Sequence, residues 1–180
     1  MAAALMMLLT LTGIASSALA QGSATPAASP VASTTFTIGG EVTVPLTLSA
    51  ADLAAMTSQE INVSFASGSG VQTHTEKGPL LWDLIQKAGV KDDGKGKNPS
   101  MRWYVLITAN DGYQLIIAGA DLDPGFGNAP ILVSYEEDGQ PIAGAKGPVR
   151  IVAPGDKKGG RYVSGVASIE VRTLGSAPLN

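Results

Sequence analysis

The chain of 180 residues contains no cysteine and a single histidine, His74. Without cysteine there is no disulfide and no thiolate to hold a soft metal. One histidine leaves no second imidazole with which to build a histidine metal cluster. The absence of thiols fits an exported protein that avoids disulfide errors, and it rules out a lipid anchor attached at a cysteine. There is no internal repeat and no coiled-coil pattern. A G-x-S-x-G nucleophile elbow is missing too, because Gly68-Ser69-Gly70 falls one residue short on each side. The acidic residues Asp121, Asp123, Glu136, Glu137 and Asp138 lack the regular spacing of a calcium loop and read as solvated turns. No segment after position 20 is apolar enough to cross a membrane. The net charge is −3, and no motif points to nucleic acid as a partner.

What is present begins with an apolar stretch, Met1 to Ala20, that ends Ala18-Leu19-Ala20. Small residues at the third-last and last positions suit a signal peptidase, so cleavage before Gln21 is expected, although the charged start of a leader is missing. The alternative is a retained anchor of marginal length. A periplasmic or secreted location is expected, with no membrane span after cleavage. Residues 21–35 are rich in Ala, Ser, Pro and Thr and carry no charge, which reads as a tether. Residues 36–174 make one domain, large enough to bury a single core, and 175–180 form a tail. Charge is uneven along the chain. Residues 1–145 hold 6 Lys and Arg against 13 Asp and Glu, whereas residues 146–180 hold 6 against 2. Such a basic segment on an acidic protein is either an anion site or a set of surface ion pairs.

Hydrophobic periodicity predicts the elements. Val42, Val44, Leu46 and Leu48 alternate as a half-buried strand, with Pro45 placing it at a sheet edge or a bulge. Ser49 then caps a short helix, with Asp52 in the capping-box position. Ile61, Val63 and Phe65 form a strand that turns at Gly68-Ser69-Gly70 and returns over Val71 to Thr75. A helix runs from Pro79, with Leu80, Leu81, Leu84, Ile85 and Ala88 on one stripe and Gly89 as its stop. Trp82 falls on the margin of that stripe and reads as a core-edge anchor. Lys91 to Asn98 is a solvated loop. Trp103 to Thr108 is continuously apolar, the pattern of a strand buried on both faces. A turn at Asn110-Asp111-Gly112 leads to a return strand over Tyr113 to Ala118, while Asp121 to Asn128 is irregular. Ile131 to Tyr135, Val149 to Ala153 and Tyr162 to Arg172 complete the strands. The expected class is α+β, with mixed, mostly antiparallel sheets and short helices. The expected core comprises Val44, Leu46, Leu53, Val63, Phe65, Leu81, Leu84, Ile85, Val105, Ile107, Ile116, Leu132, Ile151 and Ile169.

Four blocks in order, LTLSAADLAAM (46–56), KGPLLWDLIQKAGV (77–90), ANDGYQLIIAGADL (109–122) and DGQPIAGAKGPVRIVAPGD (138–156), together resemble the sulfite-oxidase-like, molybdopterin-binding oxidoreductase domain family. The resemblance also extends along GPVRIVAPGDKKGGRYVSGVASIEVR (147–172). It implies that family's fold, and it implies molybdopterin as cofactor with the metal on a cysteine thiolate. The cysteine position implied by the resemblance falls at about Ala66 or Ser67. Active relatives also continue with a Lys-Trp pair where Ser164-Gly165 stands here. The resemblance therefore implies the fold with two elements of the cofactor site absent. The expected function is a non-catalytic binding or accessory module, the alternative a molybdopterin-dependent oxidoreductase with an atypical ligand set.

The candidate pocket residues are Ser67, His74, Arg150, Lys158 and Arg161, and the ligand expected there is a small anion or a pterin-like molecule. Arg150 lies on an otherwise apolar strand, so it stands either at a sheet edge or aimed at an anion. Lys157, Lys158 and Arg161 decorate the glycine-flanked loop Asp156 to Gly160, a form suited to phosphate or sulfate. The resemblance implies that the GP-x-R strand and the Pro-Gly loop after it face the cofactor, and that His74 follows the metal-binding loop. A Ser67, His74, Asp111 triad can be assembled only if the fold brings the three together.

Overall fold

The computed structural model describes residues 34–91 and 97–174. The expected leader (1–20), nearly all of the tether (21–35), the loop positions 92–96 and the tail (175–180) lie outside the described residues. The first strands are β1 (Thr35–Gly40) and β2 (Leu46–Ser49), and α1 (Ala50–Ala54) follows. A hairpin of β3 (Gln59–Ser67) and β4 (Gly70–Gly78) leads into α2 (Leu81–Ala88). A second hairpin, β5 (Trp103–Ala109) and β6 (Gln114–Ala118), runs into α3 (Gly119–Leu122). Short strands follow: β7 (Leu132–Ser134), β8 (Glu136–Glu137), β9 (Gln140–Pro141), β10 (Arg150–Val152) and β11 (Val163–Ser164). The last strand is β12 (Val166–Thr173).

These strands form three sheets, in the orders β2-β1-β12-β5-β6, β11-β10-β7 and β3-β4-β8-β9. Only β1 and β12 pair in parallel among the named strands. The fold is thus sheet-rich α+β, as its turn chemistry requires: Gly112 at φ 85° reverses β5 into β6, and Gly165 at φ 66° ends β11 before β12 starts. That single glycine corrects the expectation of one continuous strand over Tyr162 to Arg172. Two apolar clusters hold the sheets together. The larger packs the five-stranded sheet against α2, with Phe36, Ile38, Leu81, Leu84, Ile85, Val105, Ile107 and Ile169 buried in it. The smaller packs the β3–β4 hairpin against the three-stranded sheet through Val63, Phe65, Leu132, Val152 and Tyr162.

Local chemistry sets the start of α1 and the end of α2. The Ser49 side chain accepts from the Asp52 amide while the Asp52 carboxylate accepts from Ser49 N at 2.7 Å, the expected capping box. Gly89 closes α2 at φ 69°, as its position predicts. The helix itself begins at Leu81 rather than Pro79, and Leu80 instead bridges to Leu132. Trp82 packs at the margin of the larger core and stacks on Trp103 with centroids 6.2 Å apart.

Several expectations are corrected. Val44 is 53% exposed, because the chain turns through Glu41 to Pro45 and the strand starts only at Leu46. The missed strand lies just upstream in β1, which starts at Thr35, inside the stretch read as tether. Ile116 is 61% exposed, since β6 points Leu115 and Ile117 inward; three consecutive apolar residues hide which of them faces the core. β5 alternates buried and half-buried positions instead of being buried on both faces. β2 does lie at the edge of its sheet, where Pro45 had placed it.

Candidate functional site

β3 and β4 alternate, so Val63 and Phe65 share an inward face with their cross-strand partners His74 and Gln72, and Glu76 lies on the same face. Opposite that face stands β10, the middle strand of its sheet, carrying Arg150. Arg150 is 9% exposed, so of the two readings open to it the sheet edge is excluded. Its guanidinium Nη1 donates to Glu76 Oε1 at 3.0 Å and to Glu137 Oε2 on β8. It also lies near two stacked rings, 5.7 Å from the Phe65 centroid and 5.8 Å from that of Tyr162. The rings themselves are 3.9 Å apart.

One guanidinium thus faces two carboxylates. Glu76 is fully buried, and burial pushes its carboxyl above the ordinary value; Ser134 and Arg150 oppose the shift, and Glu137 adds to it. The outer carboxylate, Glu137, is also 3.2 Å from Lys146. Three polar atoms around this centre are buried with no hydrogen-bond partner among the described residues: Glu76 Oε2, Arg150 Nε and the Tyr162 hydroxyl. Burial also raises the Tyr162 phenol above its usual value. Glu137 is therefore not the solvated turn residue its spacing implied, because β8 carries it to Arg150, whereas Asp138 does lie exposed in the tight β8–β9 turn, from which it reaches His74.

Above this centre opens a cleft of about 600 Å³. One wall is the end of β3, Ala66 to Gly68, and the other is the loop Lys158 to Gly160, with Phe65, Arg150 and Tyr162 between them. The two walls are tied at their base by Ala66 N donating to Lys157 O at 2.9 Å. Gly159 packs closely there: a Cβ on it would lie 3.0 Å from the Phe65 ring, which would have to shift by a few tenths of an ångström. Tyr113 holds the loop from outside, its hydroxyl donating to Gly160 O at 2.9 Å.

Of the candidate residues, the cleft brings together Ser67, Arg150 and Lys158. His74 and Arg161 are not in its lining. His74 Nδ1 is 2.8 Å from Asp138 Oδ2, and Asp138 also accepts from Thr75 N. Arg161 closes a two-pronged fork on Asp156, which lowers the Asp156 pKa and raises that of Arg161. The paper triad of Ser67, His74 and Asp111 is not assembled: Ser67 Oγ donates to Gly70 O and accepts from Ser69 N within its own turn, and Asp111 accepts from Tyr113 N in the β5–β6 turn. Sequence reasoning missed Phe65, Tyr162 and Glu76 as parts of the site. Only the alternation of β3, which faces Phe65 inward with its neighbours, could have pointed to the first.

The family model described as the oxidoreductase molybdopterin binding domain matches residues 23–176. No curated protein matches the sequence. Among solved structures, the sulfane dehydrogenase SoxCD from Paracoccus pantotrophus is similar, with a TM-score of 0.60 and 18% identity over 79% of this chain. At that identity the likeness shows the fold alone. The matched region spans 39% of the SoxCD chain.

Proposed function

The chain belongs to the oxidoreductase molybdopterin-binding domain family, and from that premise we propose that it works as a non-catalytic binding or accessory module of that fold, taking a small ligand in the cleft between Ala66–Gly68 and Lys158–Gly160. The observation that carries this reading is the cleft floor, where the Phe65–Tyr162 stack covers an arginine already faced by two carboxylates. The donor set does not fit a metal held by a protein side chain. Ala66 has no donor atom, and the Ser67 hydroxyl is engaged by Gly70 O and Ser69 N in its own turn. A serine hydroxyl is also far harder to deprotonate than a thiol, so it makes a poor substitute for the thiolate that a soft or high-valent metal prefers. Among the described residues, no group of three or more acidic or histidine side chains could serve instead. What the site retains is shape, an apolar wall and one open cation, which suit reversible binding.

Purification from the native host, followed by molybdenum quantification and pterin fluorescence after oxidation, tests this reading. Molybdenum and pterin far below one per chain are expected. Stoichiometric amounts of both would overturn the proposal in favour of an oxidoreductase with an atypical ligand set.

Export is part of the same proposal, supported by the leader-like composition of Met1 to Ala20. No helix among the described residues is long and apolar enough to cross a membrane. N-terminal sequencing of protein from the cell envelope or medium should begin near Gln21. An intact Met1 on cytoplasmic protein would count against export.

A further inference from the structure

We propose that the cleft takes a small aromatic ring bearing one negative charge, a carboxylate or sulfonate, and that Lys158 at the mouth recognises that charge. The inference rests on the binding reading above and deepens it by naming the ligand class and the residue that selects it.

Charge comes first. Arg150 is the obvious anion receptor, yet Glu76 and Glu137 already face it at hydrogen-bonding distance. Lys146 sits 3.2 Å from Glu137, so the group of four is neutral with both carboxylates ionised and carries one positive charge with Glu76 protonated. Lys146 is not in the cleft lining, and Arg150 stays faced by both carboxyl groups in either state, so neither cation is presented to a ligand in the cleft. Arg161 is closed on Asp156 and lies outside the cleft lining. Lys158 lines the cleft, is exposed, and has no ion pair among the described residues. It is the one cationic side chain of the lining left open to a ligand.

Shape comes second. Phe65 and Tyr162 form the aromatic part of the lining, and Gly68, Gly159 and Gly160 stand in the walls beside them with Ala66, Ser67 and Lys158. A Cβ added at Gly68 or Gly160 would meet nothing within 4 Å, so neither glycine position obstructs the slot between the two walls. A planar ring fits that slot, and stacking or edge contact with the pair favours an aromatic one.

An exposed ammonium gains only modestly from an anion, so the expected charge preference is roughly two- to five-fold. Three probes of matched shape test it: benzoate, benzamide and benzylammonium, titrated into the isotope-labelled full chain while the backbone amides of Gly68, Gly159 and Gly160 are followed. Benzoate should bind about two- to five-fold more tightly than benzamide, with benzylammonium weakest, and added salt should close the gap. Lys158→Ala should abolish the preference for benzoate while leaving the benzamide affinity unchanged. Lys158→Arg should keep the preference, and so should Lys157→Ala. Benzoate no tighter than benzamide, or a preference that survives Lys158→Ala, would overturn the charge assignment and leave the binding cleft standing. If no probe moved the three glycine resonances, the binding reading would fall together with the inference.

Discussion

Arg150 is held by residues far along the chain, Glu76 being 74 positions away and Glu137 13. A basic side chain on an apolar strand was readable in the sequence; its two acidic partners were not. They meet it only because β4 and β8 pair and lie against β10, a tertiary fact with no local pattern behind it. The same holds for Arg161, whose partner Asp156 sits five residues upstream in an irregular loop where spacing predicts no contact. Removing charge from such a centre has a signed consequence. Glu76 has a raised pKa in the folded protein, so the native state binds its proton more tightly than the unfolded chain does. Its contribution to stability is therefore fully present below about pH 4.5, the ordinary value, and declines as pH rises through the raised folded value. Glu76→Gln should lose that decline: relative to wild type, its stability should climb with pH across this window, whatever offset the lost ion pair imposes. Urea unfolding of both proteins from pH 4 to 8 measures it, and parallel profiles would contradict the assignment. Asp156 has the opposite sign, its lowered pKa giving stability that is lost as pH falls below about 3.8, so the two windows do not overlap. The Tyr162 hydroxyl offers a second check. A buried hydroxyl without a partner is a cost of about 1–3 kcal/mol. Tyr162→Phe keeps the ring stacked on Phe65 and removes that cost, so the variant should be at least as stable as wild type. A loss above about 1 kcal/mol would show that the hydroxyl has a partner after all.

At the scale of elements, helices α1 and α2 and the two long hairpins followed from periodicity, caps and turn residues. Their signals are local: a capping box at Ser49, a stripe at Leu81, Leu84, Ile85 and Ala88, and positive-φ glycines at the turns. The errors fell where pattern and packing separate. Val44 belongs to an alternation that the backbone takes up only after Pro45, and Ile116 sits in an unbroken apolar run whose inward members only the register with β5 decides. β1 and the two-residue strands β8 and β9 escaped because two to six residues carry too little periodicity to stand out. Leu84 is 1% exposed and faces the larger core. Leu84→Ala should cost about 2–5 kcal/mol in chemical denaturation. A change below about half a kcal/mol would mean that the α2 stripe does not pack as described.

For the whole molecule, four motif blocks in order were enough to expect the family, and the match over residues 23–176 shows it. Ligand-site geometry was the part sequence could not supply, because the cleft joins the end of β3 to β10 and the loop before β11, which lie far downstream of it in sequence. The cleft has a floor of stacked rings and compensated charge, and among the described residues no group of three or more acidic or histidine side chains could hold a metal. A resident cofactor binds the folded state alone and so raises its apparent stability by mass action. The most direct test compares melting temperatures of the protein purified from the native host grown with molybdate and without it. The same melting temperature is expected from both cultures. A molybdate-grown protein melting several degrees higher, with the difference abolished by stripping the cofactor, would contradict the account.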